Sequence, residues 1–191
     1  MKKLLAGIFC ILIILTAAGC GELDHERARE IAAPLIAESQ KLDVILYGTG
    51  LEIIPDVKEG KYSKVSSDSY KTLEDLKTAL DAVYTPELSE ITRNAILKGN
   101  STEHGTSYAR YINVDGQLYS YDGAKVYFEH ARRYDLDSIR AKNITDIRII
   151  FTVDTYTADA EGNYSDVAEN IELKLIYDEG LEKWLLDTPT Y

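Results

Sequence analysis

Ile147-Arg148-Ile149-Ile150-Phe151-Thr152-Val153-Asp154 decides the fold class, together with Asn170-Ile171-Glu172-Leu173-Lys174-Leu175-Ile176-Tyr177 beyond an acidic loop. In the first run Ile147, Ile149, Phe151 and Val153 alternate with Arg148, Thr152 and Asp154. In the second, Val167, Ile171, Leu173, Leu175 and Tyr177 alternate with Asn170, Glu172 and Lys174. A period of two reads as a strand with one apolar face. Asp178-Glu179-Gly180 then turns the chain into a last strand, Trp184 to Thr188. Upstream, Tyr108 to Val114 and Gln117 to Tyr121 flank Asp115-Gly116, a pair suited to a type I′ hairpin turn. These strands form an antiparallel meander whose apolar face needs a cover. Residues 124–142 read either as a strand followed by a short helix or as irregular chain.

The cover comes from the N-terminal half, where the periodicity is helical. Ala28, Ile31, Ala32, Leu35, Ile36, Leu42, Ile45 and Leu46 fall on one stripe, which Gly48 and Gly50 end. Pro34 lies inside the stripe and either kinks the helix or marks a later start. Leu51 to Val65 has room for one or two short strands. Thr72 and Asp75 form a capping box ahead of a helix that buries Leu73, Leu76, Ala79, Leu80 and Val83. Thr85-Pro86-Glu87 opens a third helix: Thr85 as N-cap, Pro86 in the first turn, Glu87 near the positive dipole end. Leu88, Ile91, Ala95 and Leu97 or Ile96 face inward, and Gly99 is the candidate cap. The expected class is α+β, with N-terminal helices packed on a curved antiparallel sheet.

The first twenty residues read as an address. Met1-Lys2-Lys3 precedes twelve apolar positions, Leu4 to Leu15, and Thr16-Ala17-Ala18-Gly19-Cys20 supplies a small-residue cleavage site. The apolar run is shorter than the roughly 20 residues of a membrane span. Ala18-Gly19-Cys20 resembles the lipobox of bacterial lipoproteins, with Ala17 where that family favours Leu. The resemblance implies that residues 1–19 are removed, that Cys20 is lipidated on its thiol, and that residues 20–27 tether a single domain over 28–191. It places the domain on the extracytoplasmic face of a bacterial membrane.

Charge and chemistry narrow the function. The 191-residue chain carries 32 acidic and 21 basic side chains, a net charge of −11. Loss of residues 1–19 removes Lys2 and Lys3, leaving 172 residues at a net charge of −13. That balance argues against nucleic acid, whose phosphates need Lys and Arg patches, and against lying on anionic lipid headgroups. Cys10 leaves with the signal and lipid blocks Cys20, so neither a disulfide nor a thiol nucleophile is expected. His104 and His130, with Asp154 or Asp137, are the candidate acid–base groups. Neither histidine shows metal spacing, no serine sits in a Gly-x-Ser-x-Gly elbow, and no glycine-rich phosphate loop occurs. No catalysis, metal or cofactor is expected.

The order of elements resembles the cystatin-like and nuclear-transport-factor-2-like cone folds. Leu76 to Leu97, Val114-Asp115-Gly116-Gln117-Leu118-Tyr119 and Trp184-Leu185-Leu186-Asp187-Thr188-Pro189-Thr190-Tyr191 together resemble the secreted inhibitor of cell-wall DL-endopeptidases from Gram-positive bacteria. That resemblance implies a non-catalytic protein that blocks a cysteine-dependent peptidoglycan hydrolase by occupying its groove. The acidic charge would steer it toward a basic groove. The loop between the two long strands offers the partner-binding candidates Tyr156, Asp159, Glu161, Tyr164 and Asp166, acids and tyrosines on a rigid support. A second possible surface is the tyrosine-rich stretch holding Tyr108, Tyr111, Tyr119, Tyr121 and Tyr127. The alternative function is a small-ligand or sensor lipoprotein using the cone interior.

Overall fold

The first helix, α1 (His25–Leu46), begins where Asp24 accepts a hydrogen bond from the Arg27 amide at 2.8 Å. Residues 25–27, read as the end of the tether, are therefore its first turn. The computed structural model describes residues 24–190 apart from 99, 103–104, 125–131 and 160, and leaves undescribed the side chains of 95, 96, 100–102 and 105–107. Helix α1 runs unbroken through Pro34, so the proline does not mark a later start. The expected apolar stripe is its buried face, with Ser39 added.

Two sheets, rather than one, stand against the helices. The first contains β1 (Ile53–Glu59), β2 (Tyr62–Val65), β5 (Tyr111–Val114) and β6 (Gln117–Tyr121), in the order β1-β2-β6-β5. The second contains β7 (Arg132–Thr145), β8 (Arg148–Thr157), β9 (Glu169–Asp178) and β10 (Lys183–Leu186), in the order β10-β9-β8-β7. A small ribbon, β3 (Asn100–Thr102) with β4 (Gly105–Ser107), stands apart. All ladders are antiparallel. The β5–β6 turn has positive φ at both Asp115 (50°) and Gly116 (75°), as a type I′ turn requires.

Helices α2 (Leu73–Val83) and α3 (Pro86–Leu97) complete the order. The Thr72–Asp75 capping box is formed in both directions. Thr85 holds the N-cap position of α3, yet its hydroxyl turns away and donates to the Asp187 carboxylate at 2.8 Å. Its amide meanwhile donates to the Leu186 carbonyl at 2.8 Å. The α2–α3 junction is thereby sewn to the end of β10. Three expected inward positions lie outside it, among them Val167, which precedes β9 in the loop and is 73% exposed. Ile91 is 53% exposed, and Ile147 is 55% exposed in the β7–β8 turn.

One continuous apolar core joins the layers: Ile36 and Leu42 from α1, Leu76 and Leu80 from α2, Leu118 from β6, and Phe151, Leu173 and Leu175 from the second sheet. The first sheet is fixed to the end of α1 by two neighbouring side chains. Arg110 donates through Nε to the Ile45 carbonyl (2.9 Å) and through a terminal nitrogen to the Gly48 carbonyl (2.5 Å). Tyr111 donates to the Ile45 carbonyl (2.9 Å) and accepts from the Leu51 amide (3.0 Å). A buried cation thus serves the Ile45 carbonyl, which the helix end leaves without a helical partner, and the Gly48 carbonyl just beyond the cap.

Residues 132–142 resolve into the first part of a fourteen-residue strand, β7. Between Asp135 and Arg140 this strand advances five residues while β8 advances from Asp154 back to Thr152. Ser138 fills the bulge, donating to the Asp135 carbonyl (2.6 Å) and accepting from the Asp154 amide (2.7 Å). The bulge breaks the alternation that would have announced a strand.

Candidate functional site

Strands β8 and β9 are ten residues each and pair without interruption from Arg148 opposite Ile176 to Thr155 opposite Glu169. Ile149, Phe151, Val153, Leu173 and Leu175 bury their inner face completely or nearly so. The connection from 158 to 168 is therefore carried on a rigid two-stranded support.

The connection is also ordered from within. The Asp159 carboxylate accepts from the Glu161 amide (3.0 Å), the Asn163 amide (2.8 Å) and the Asn163 side chain (3.2 Å). The Asp159 amide donates to the Asn163 carbonyl at 2.9 Å, and Gly162 takes φ +85° to close the turn. Ala158 bridges Tyr164, and the Ser165 amide returns to the Thr157 carbonyl at 2.9 Å. Hydrogen bonds from Asn163, and then from Glu161 and Gly162, hold the Asp159 carboxyl below its ordinary range. Asp159 is the staple of the loop, and its carboxylate is occupied inside it.

Tyr156 and Tyr164 come together through a residue that the sequence reading did not single out. Arg133, opposite Tyr156 in the β7–β8 ladder, places its guanidinium 4.7 Å from the Tyr156 ring centroid and 5.3 Å from that of Tyr164. One cation thus braces both rings. Tyr156 is half-buried, whereas Tyr164 is 41% exposed. Glu161 and Asp166 are exposed on the loop, and Val167 beside them is 73% exposed. Two rings on a common cation, two exposed acids and an exposed valine make a tip able to present aromatic, anionic and apolar contacts at once.

The tyrosines of the first sheet form a separate cluster. Tyr108 stacks on Tyr121 at 4.8 Å, Tyr62 leans on Tyr121 at 5.5 Å, and the Lys61 ammonium donates to the Tyr108 hydroxyl at 2.8 Å. Tyr119 and Tyr121 share the half-buried face of β6, as strand alternation requires. Tyr111 is fully buried in its helix-end role, and Tyr127 lies outside the described residues.

Cys20, His104 and His130 also lie outside the described residues. Asp154 accepts from the Asn170 side chain at 2.7 Å, and Asp137 is ion-paired with Arg29. Among the described residues no group of three or more His, Cys, Asp or Glu could hold a metal ion. No described helix is long and apolar enough to cross a membrane. No protein-family model matches the chain, and neither does any curated protein.

Proposed function

We propose that this chain is a lipid-anchored, extracytoplasmic protein-binding module that restrains a cell-wall hydrolase of the DL-endopeptidase type without catalysis of its own. Cys20 carries the lipid, residues after it lead to α1, and the α+β domain faces the envelope. The reading rests on the braced tip of the β8–β9 loop, where Arg133 holds Tyr156 and Tyr164 beside the exposed acids Glu161 and Asp166. Rigid aromatic side chains give contact area at small entropy cost. The acids, on a chain of net charge −11, favour approach to a basic groove. The antiparallel run β7-β8-β9-β10 packed on α1 supports the cone reading, and the resemblance to the endopeptidase inhibitor supplies the partner class.

The test is a titration of the full-length chain, in detergent, into a peptidoglycan lysis assay driven by a purified DL-endopeptidase. Loss of lytic activity at micromolar protein is expected. Undiminished lysis at micromolar excess would remove the inhibitor function.

A further inference from the structure

A second surface lies at the other end of β9. The loop proposed as the inhibitor tip precedes Glu169, whereas the turn after Asp178 borders an open groove of about 780 Å³ between α2, α3 and β10. Ten extended residues separate the two ends by about 30 Å.

The groove's charge is opposite to that of the chain. Lys77, Arg93, Lys98 and Lys183 line it against two acids, Asp81 and Glu90, with Lys77 ion-paired to Glu74 of its own helix at 3.3 Å. Asp81 is consumed internally. Its carboxylate is paired with Arg93 and accepts from Ser89 at 2.7 Å, and its carbonyl accepts from the Lys183 ammonium at 2.9 Å. Arg93 also donates to the Lys77 carbonyl at 3.3 Å, while its Nε is buried without an acceptor. Arg93 and Lys183 are thus held in place, and Lys98 stands exposed at the end of α3. The apolar lining is Leu73 and Leu97, both half-buried, and Leu181, 54% exposed, over the fully buried Leu185.

We infer that this groove is a docking site for an acidic amphipathic peptide segment of a partner protein. Charge complementarity selects the occupant. Cations placed on three different elements around this apolar lining match several carboxylates flanking apolar side chains, the arrangement of an amphipathic segment laid into a groove. A small amphiphile with one carboxylate needs one cation and a closed apolar tube, which an open groove with six charged side chains does not offer. The site is independent of the inhibitor loop, so one molecule could hold a hydrolase at one end and an acidic partner at the other.

The probe is a labelled peptide carrying Glu and Leu at helical spacing, compared with Gln and Lys counterparts of identical Leu pattern. Fluorescence anisotropy is read against the full-length chain in detergent. The Glu peptide is expected to bind about tenfold more tightly than the Gln peptide, with the Lys peptide weakest and the preference shrinking with salt. Lys98→Glu and Leu181→Asp, both at exposed positions, are each expected to weaken it, while Tyr164→Ser leaves it unchanged. Equal binding of all three peptides, no binding of any, or indifference to both groove variants at unchanged Tm would overturn the assignment. So would displacement by decanoate at the peptide's own concentration.

Discussion

The Thr190 hydroxyl donates to the Asp43 carboxylate across 2.9 Å, tying the segment after β10 to α1. Around this contact the Tyr84 hydroxyl lies 3.0 Å from Thr190 Oγ1, and the Tyr134 hydroxyl donates to the Thr190 carbonyl at 2.8 Å. Thr190 is thereby fixed by α1, β7 and the chain between α2 and α3. Burial pushes the Tyr84 and Tyr134 hydroxyls above their ordinary range, so both remain protonated donors.

Burial likewise raises the Asp43 carboxyl to about 7, against the lowering pull of Thr190 and Tyr84. The folded chain therefore holds a proton that the unfolded chain releases near pH 4. This contribution is complete below pH 4 and is lost as pH rises through 7, roughly 4 kcal/mol in all if no other group intervened. Urea unfolding of the wild type should show stability falling between about pH 4 and 7 and levelling above that. Asp43→Asn, which keeps an acceptor for Thr190, should flatten that slope. An equal slope in both proteins would place the titration elsewhere.

The helix-end lock of Arg110 gives a second prediction. Arg110→Ala removes the donor to the Gly48 carbonyl, while Tyr111 still serves that of Ile45. The expected loss is about 1–3 kcal/mol by chemical denaturation. Gly50→Ala should also destabilise. Gly50 has φ +81°, and an added Cβ would stand 2.9 Å from the Arg110 guanidinium and 3.0 Å from the Tyr111 hydroxyl. Wild-type stability in both variants would show that this junction contributes nothing.

Asp159→Ala should release the loop without unfolding the domain. The amides of Glu161 and Asn163 lose their acceptor, and their hydrogen exchange should quicken while that of β8 stays slow. Acid should mimic the variant. The depressed Asp159 carboxyl stabilises the turn above its ordinary range and loses that effect as pH falls through its folded value. Unchanged exchange at Glu161 and Asn163 would mean that the turn is held by its backbone alone.

Much of the fold was legible because local signals agreed with the tertiary arrangement. The Thr72–Asp75 box, the Asp115-Gly116 turn and the alternation of Ile149, Phe151 and Val153 each state their structure without help from the rest of the chain. Strand β7 was not legible, since its bulge separates the buried Tyr134 from Ile139 and Ala141 and erases the period of two. Arg133 was hidden for the same reason. Its place under Tyr156 and Tyr164 depends on register with β8, and an arginine in an unassigned segment carries no sign of what it stacks on. Asp159 was visible as an acid in a loop, but its occupation by amides four residues away or nearer follows only from the turn geometry. The division into two sheets depends on how β2 joins β6, a pairing across more than fifty residues that no short pattern encodes.

We propose the braced β8–β9 loop as the surface that engages the hydrolase. The most direct measurement is the Kd of the full-length chain, in detergent, for a DL-endopeptidase catalytic domain, compared with the double variant Tyr156→Ser, Tyr164→Ser at matched Tm. Binding by the wild type is expected, with a loss of at least about tenfold in the variant, as for aromatic contacts at the centre of an interface. Equal Kd values in the two proteins, or no binding by the wild type, would contradict it.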